Sequence, residues 1–358
     1  MNDKRFSQLE SLSTLIRPQL GLPFDIQNIS LNQDLVSYAI HRHRVGPILY
    51  KALEQIGATK NSEQLRLEQS YRENVRAILT QRATSKKLIA LLESEAIPFT
   101  FLKGWGLARQ LYDDPNSRQS KDIDILIPKT ASASAIRLFN EKGYVHQPSV
   151  IRKRRSFSES RQISDMKRLK DQTFADLKFS TMIELHERLF KIEPDGLISN
   201  FNEAVGFERY PSINNVYYCF YFILHGALAL WPRLKWVVDL SLLVRKLRSH
   251  DRNELLRLAN EYGCEASILA SLRLVQDIFP GSLDEEWFSI LAKKGQDESV
   301  KKIAGIFFEA LSSSAPSNQS LSAKRPILSD SSHLVFGRRI GILNVVRLRV
   351  LNAIAIRV

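Results

Sequence analysis

Strand-like alternation of apolar and polar residues is confined to the middle of this chain, and elsewhere apolar residues return every three or four positions, as on a helix face. Residues 1–29 are mixed, with Pro18 and Pro23 breaking helical runs. Over 31–56 the positions Leu35, Ala39, Val45, Ile48, Leu49 and Leu53 share one face, which predicts a helical N-terminal lobe. Residues 62–94, rich in Arg, Leu, Glu and Lys, predict one long helix. It leads into an apolar strand over 97–102. A strand over 121–127, a helix over 131–142 stopped by Gly143, and a short strand over 144–146 follow. Residues 172–177 and 181–185 predict a hairpin turning at Lys178-Phe179-Ser180. From about residue 214 the spacing is helical throughout, over 217–230, 235–247, 253–261, 266–278, 284–291 and 299–311. A Ser-rich stretch over 312–320 reads as a linker, and 336–358 as a basic amphipathic tail. The pattern is that of an α+β protein: an N-terminal helical lobe (1–95), a sheet-containing core (96–210), a helical domain (211–312), a linker (313–335) and the tail (336–358).

The densest chemistry falls on the strands. Phe101-Leu102-Lys103-Gly104-Trp105-Gly106-Leu107-Ala108 reads as a strand end, a glycine turn and the start of a helix. Lys121-Asp122-Ile123-Asp124-Ile125-Leu126-Ile127 reads as a buried strand opening with two carboxylates. Alternation turns Asp122 and Asp124 to one face and Ile123 and Ile125 into the core. Two carboxylates side by side resist ionisation unless a cation lies between them, and oxygen ligands of this kind suit Mg²⁺. Gly104 would let backbone approach a phosphate, and a helix starting near Trp105 would turn free N–H groups toward it. Lys103 or Arg118 would add a full charge; Lys103 reads equally as one member of an ion pair.

In Thr181-Met182-Ile183-Glu184-Leu185-His186, Glu184 and His186 lie on the face opposite Ile183 and Leu185, so Glu184 needs a partner. A second polar and aromatic segment runs from His225-Gly226 through Trp231-Pro232-Arg233-Leu234-Lys235-Trp236 to Asp239. It reads either as a cover for a nucleotide, with Trp231 or Trp236 stacking and Arg233 or Lys235 on phosphate, or as a helix corner with a core Trp and Asp239 as a cap or salt-bridge partner. His186 and His225 taken singly read as hydrogen-bonded core histidines.

The order strand, Lys-Gly turn, helix, Leu111-Tyr112-Asp113-Asp114-Pro115, Arg118 and then Asp-Ile-Asp-Ile-Leu resembles the DNA polymerase beta-type nucleotidyltransferases. More narrowly, it resembles the bacterial uncharacterised nucleotidyltransferase family, over roughly residues 35–243. The resemblance implies a mixed sheet with flanking helices, an NTP substrate and two Mg²⁺ held by Asp122, Asp124 and a third carboxylate, which the Ile-Glu-Leu-His segment supplies as Glu184. It places Gly104 and Trp105 beside the triphosphate, where Gly104-Trp105 replaces the superfamily's frequent Gly-Ser or Gly-Gly. The bland reading of Glu184 is a salt bridge at a strand edge.

Composition adds a partner class. The 358 residues are 44% hydrophobic and 25% charged, ordinary for a globular protein large enough for two domains. A net charge of +13 suits a polyanion such as a nucleotide, RNA or an anionic membrane surface, or makes a generally basic exterior. Arg152-Lys153-Arg154-Arg155, with Arg161, Lys167, Arg168 and Lys170, would hold phosphate or nucleic acid, or form a solvated connection. The tail would lie on a membrane or on the protein's own helices. With two cysteines in apolar contexts, an N-terminus unlike a signal peptide and no membrane-spanning run, a cytoplasmic protein is expected. The function expected is Mg²⁺-dependent transfer of a nucleoside monophosphate to a hydroxyl of a small molecule, peptide or protein. The alternatives are an RNA-directed, toxin-like transferase and a nucleotide-binding scaffold without turnover.

Overall fold

Asn32, Asn61, Asn215, Asp284 and Asp297 each accept a hydrogen bond from a backbone N–H two or three residues on, and a helix begins after each. The computed structural model describes residues 2–25, 30–58, 61–147, 158–166, 170–313 and 335. The N-terminal part contains α1 (Asn2–Ile16), α2 (Gln33–Ser37), a π-helical turn (Tyr38–His43) and α3 (Gly46–Gln55). The long α4 (Ser62–Ser94) leads to β1 (Thr100–Phe101), shorter than its apolar run because Pro98 has no N–H to donate. Then come α5 (Trp105–Leu111), β2 (Asp122–Leu126), α6 (Ser132–Glu141), β3 (Val145–Gln147), α7 (Glu159–Met166), β4 (Asp171–Asp176) and β5 (Thr181–His186). The remainder is helical: α8 (Leu197–Val205), α9 (Val216–Leu228), α10 (Leu234–Lys246), α11 (Ser249–Glu261), α12 (Glu265–Ile278), α13 (Glu285–Lys294) and α14 (Glu298–Ser312).

The five strands form one mixed sheet in the order β1-β2-β5-β4-β3, with β2 and β5 parallel and the other pairs antiparallel. The protein is therefore α+β, with a helical C-terminal part. Ile123, Ile125, Ile183 and Leu185 pack with Phe101, Phe139, Phe174 and Leu88 in an apolar cluster between the sheet and α4 and α6. A larger cluster joins the N-terminal helices to α8 through α14 and takes in Leu102 and Leu126 from the sheet. One face of the sheet thus rests on its own helices, and the other looks into the helical body. The residues of alternate parity on β2 and β5 belong to that second face.

The apolar spacing over 31–56 suggests one continuous amphipathic stretch, but the chain breaks it with the π-helical turn and a left-handed Arg44 (φ 55°). Residues 152–155, 167 and 168 of the basic cluster, the linker but for Ser313 and Val335, and the whole tail lie outside the described residues. Of that cluster, Arg161 pairs with Asp165 (3.4 Å) and Lys170 with Asp171 (2.9 Å). Cys219 and Cys264 are buried and free. Among the described residues, no helix is long and apolar enough to cross a membrane.

Gly226, in the last turn of α9, packs against the corner that leads to α10. A Cβ on Gly226 would lie 2.2 Å from the ring of Trp231, which is fully buried and donates its indole N–H to Ser271 Oγ (3.0 Å). Leu230 (φ 64°) and Trp231 (φ 47°) are both left-handed there, a conformation unfavourable for side chains of this size. Gly226→Ala is expected to destabilise the protein by about 1–3 kcal/mol through overpacking. Denaturant unfolding measures this, and a change below about 0.5 kcal/mol would contradict the packing argument.

Candidate active site

Register brings the acidic residues together. β2 and β5 run parallel with Asp124 opposite Glu184 and Leu126 opposite His186, and paired residues on neighbouring strands point to the same side. One ligand atom each from Asp124, Glu184 and His186 lies within 4.8 Å of the other two. His186 Nε2 is 3.2 Å from Asp124 Oδ1 and 3.5 Å from Glu184 Oε2, while its Nδ1 faces Asp171 Oδ2 at 3.8 Å. Asp122, two residues before Asp124, shares its face at the mouth of the site. All four are positioned by β2 and β5, and Asp171 begins the antiparallel neighbour β4.

The Lys103-Gly104 turn supplies the nearest cation. Lys103 Nζ lies 3.2 Å from Asp124 Oδ1 and 3.2 Å from His225 Nε2. An ammonium only donates, so His225 accepts as a neutral imidazole. Burial, and then the Lys103 charge, hold the imidazole of His225 well below its ordinary range, in agreement. Gly104 sits at φ 79°, ψ −139°, a conformation open to glycine. A Cβ there would meet only Ser120 Oγ at an ordinary 3.8 Å, so backbone geometry rather than lack of space requires the glycine. The helix that follows, α5, receives no side-chain cap at its start.

The two aspartates differ in electrostatics. Burial alone would raise the carboxyl of Asp124, but the Lys103 ammonium and the hydrogen bond from His186 outweigh it and hold the group well below the usual carboxylate range. Asp122 is raised, by burial first and the neighbouring Asp124 charge second, with Lys103 opposing. One site therefore keeps a firmly ionised carboxylate beside one that gains from any added positive charge.

Asp122 and Asp124 open into a cleft between sheet and helical body, whose empty space, solvent at the mouth included, is about 540 Å³. Its walls carry Lys103, Lys121, Lys235, Arg44, Arg118 and Trp236. Lys235 is buried and donates to Gln119 O (2.7 Å); burial, and then Arg118, push its ammonium well below the ordinary range. Arg118 lines the cleft, but its Nε donates to both oxygens of Asp239 (2.9 and 3.0 Å), and Tyr112 Oη donates to the same carboxylate (2.6 Å). Asp239 is thus the salt-bridge partner, one of the two readings of its segment.

Other residues singled out in the sequence go elsewhere. Trp231 is core, so of the two tryptophans only Trp236 is half-exposed on the cleft wall. Arg233 is not on the cleft wall; it donates to Arg42 O (3.3 Å). Trp105 is off this cleft's wall and lines a smaller neighbouring pocket with Lys103, Gly104 and Asp122, its ring meeting the guanidinium groups of Arg82 (4.6 Å) and Arg109 (5.1 Å). Sequence reasoning missed Arg44 and Asp171 altogether and read His186 singly as a core histidine. Alternation did put His186 on the carboxylate face, so that signal was present. Nothing in the local sequence links Arg44 to Asp122.

Comparison with protein-family models matches residues 30–280 to the family described as uncharacterised nucleotidyltransferase. A comparison with curated proteins finds no match.

Proposed function

Because the chain belongs to the uncharacterised nucleotidyltransferase family, we propose that it transfers a nucleoside monophosphate from an NTP to a hydroxyl of a small-molecule, peptide or protein acceptor, with divalent cations at the carboxylates. The observation that carries this reading is the parallel register of β2 and β5, which sets Glu184 beside Asp124, a carboxylate that with Asp122 lines a cleft walled by cations. The bond formed joins the acceptor oxygen to the α-phosphorus, the bond broken is that to the β-phosphate oxygen, and pyrophosphate leaves. Half-buried Glu184, the most exposed carboxylate of its cluster, would take the proton of the acceptor hydroxyl. Lys103 and Lys121 offset charge on the polyphosphate, and Trp236 offers a face for base or ribose.

The donor set fits a divalent cation. Oxygen and nitrogen ligands about 2.1 Å from one ion stand roughly 3.0–3.5 Å apart, which the His186 separations from Asp124 and Glu184 of 3.2 and 3.5 Å match. Asp124, Glu184 and His186 would hold one ion, and Asp122 with Asp124 the second of the two Mg²⁺ the family resemblance implies. When bound, such ions neutralise phosphate charge and sharpen the acceptor oxygen. Asp171, whose Oδ2 lies 3.8 Å from Nδ1, would orient the imidazole ring, as carboxylates commonly do for metal-binding histidines.

Two experiments test the reading. Thermal melting with Mg²⁺ and each NTP is expected to show metal-dependent stabilisation of about 2.7 kcal/mol at a hundredfold excess over Kd, and the reading fails if no nucleotide stabilises the protein. Because one donor is nitrogen, Mn²⁺ is expected to bind more tightly than Mg²⁺, and His186→Gln to lose on the order of tenfold in Mn²⁺ affinity by electron paramagnetic resonance titration. Equal affinity in the variant would remove His186 from the ligand set.

A further inference from the structure

The π-helical turn Tyr38–His43 ends in Arg44, whose backbone is left-handed (φ 55°, ψ 41°) without being glycine. Both features are unfavourable by themselves and persist only where surrounding structure enforces them. The enforcement here is a clasp. Buried Arg42 donates to Pro232 O, Ala310 O (3.0 Å) and Ser313 O (2.9 Å). His43 Nδ1 accepts the N–H of Leu234 (3.0 Å), and Arg233 donates back to Arg42 O (3.3 Å). The partner in this clasp is the equally left-handed corner at Leu230 and Trp231. Two strained turns, about 190 residues apart in sequence, thus hold each other on one wall of the cleft.

The side chain so presented has no direct polar contact among the described residues. Arg44 is half-buried in the cleft wall with Asp122, Lys121 and Lys235, and among the described residues it makes no hydrogen bond and no ion pair. The charge of Asp122 acts on this partly desolvated guanidinium without a direct contact, and its planar fork of N–H donors, left unfilled, matches a phosphate edge. At the Asp124 end of the site carboxylates and a histidine gather; around Arg44 cations outnumber the single carboxylate Asp122. A polyphosphate, the most highly charged part of an NTP, belongs at that end.

We propose that Arg44, delivered from the N-terminal helices by the clasp, grips the β- and γ-phosphates of the NTP and steadies the departing pyrophosphate. This inference rests on the nucleotidyl-transfer reading and extends it to a residue outside the catalytic sheet. The strain at Arg44 is then a stability sacrifice for binding.

The test is calorimetric titration of the full chain, in Mg²⁺, with inorganic tripolyphosphate, ATP and AMP. Arg44→Gly removes the guanidinium and also relieves the left-handed backbone, so it is expected to melt no lower than the native protein while losing on the order of thirtyfold in tripolyphosphate and ATP affinity. Arg44→Lys is expected to recover part of that affinity, and AMP binding is expected to change less than twofold in both. Native affinity for tripolyphosphate and ATP in Arg44→Gly, or an equal loss for AMP, overturns the assignment while leaving nucleotidyl transfer in place. Failure of the unaltered protein to bind tripolyphosphate or any NTP overturns both.

Discussion

Asp124→Asn is expected to lower nucleotidyl transfer on the order of a thousandfold, equivalent to about 4 kcal/mol of lost transition-state stabilisation, while the protein stays folded. Asp124 is the residue on which the site converges: Lys103 and His186 both approach one of its oxygens at 3.2 Å, and it is 3% exposed. An amide preserves shape and an acceptor oxygen for these neighbours but removes the charge that would hold a cation. The Lys103 ammonium then loses its counter-charge, which costs about 1–3 kcal/mol of stability. Labelled-NTP transfer measured alongside melting separates the two effects. A folded variant with activity within tenfold of the native protein would sink the proposed role. A pH series gives a second check. The carboxyl of Asp124 is depressed in the folded state, so it contributes stability above its ordinary value of 3.8 and loses it as pH falls further. The Asn variant is expected to lack that part of the acid-side loss.

The largest effect on stability is expected at Asp239. Its carboxylate is fully buried, takes Arg118 Nε on both oxygens and accepts the hydroxyl of Tyr112, tying α10 to the segment between α5 and β2. Burial alone would lower the guanidinium of Arg118, and the Asp239 charge outweighs it and holds the group raised. Asp239→Ala leaves a 3%-exposed guanidinium without a counter-charge and is expected to cost about 3–5 kcal/mol, a large share of the 5–15 kcal/mol typical of folded proteins. Arg118→Met combined with Asp239→Leu removes both charges and is expected to recover most of the loss, because desolvating an ion pair offsets much of its attraction. Denaturant unfolding of the two single variants and the double variant gives the coupling. A single-variant loss below about 1 kcal/mol would show that water or another group compensates Arg118.

Much of the architecture was readable in advance for local reasons. Alternation at Asp122-Ile123-Asp124-Ile125 and Ile183-Glu184-Leu185-His186 can be satisfied only by strands with one apolar face, and those strands are β2 and β5. Helical spacing anticipated α4 at its observed bounds and α9 through α14 to within a few residues, since each buries a stripe against one core. The first helix is harder to read from sequence, because helix-breaking Pro18 and Pro23 follow closely on Leu9, Leu12 and Ile16, which form its buried face. The roles of Trp105, Trp231 and Arg233 were harder to read. An aromatic or cationic residue near a motif can face the cleft, the core or the exterior, and a few degrees of backbone rotation choose among them.

Periodicity and turn chemistry, acting over a few residues, were sufficient to determine the α+β class and the strand faces, while the family resemblance singled out Glu184 to join Asp122 and Asp124. Only the folded chain decided that β2 and β5 run parallel with Asp124 beside Glu184, that Asp239 neutralises Arg118, and that two strained turns bring Arg44 opposite Asp122. Those pairings join residues dozens to nearly two hundred positions apart, and no short-range preference carries them. They are set by how the buried faces fit together and by the requirement that every charge taken from water find an opposite one or a ligand to receive it.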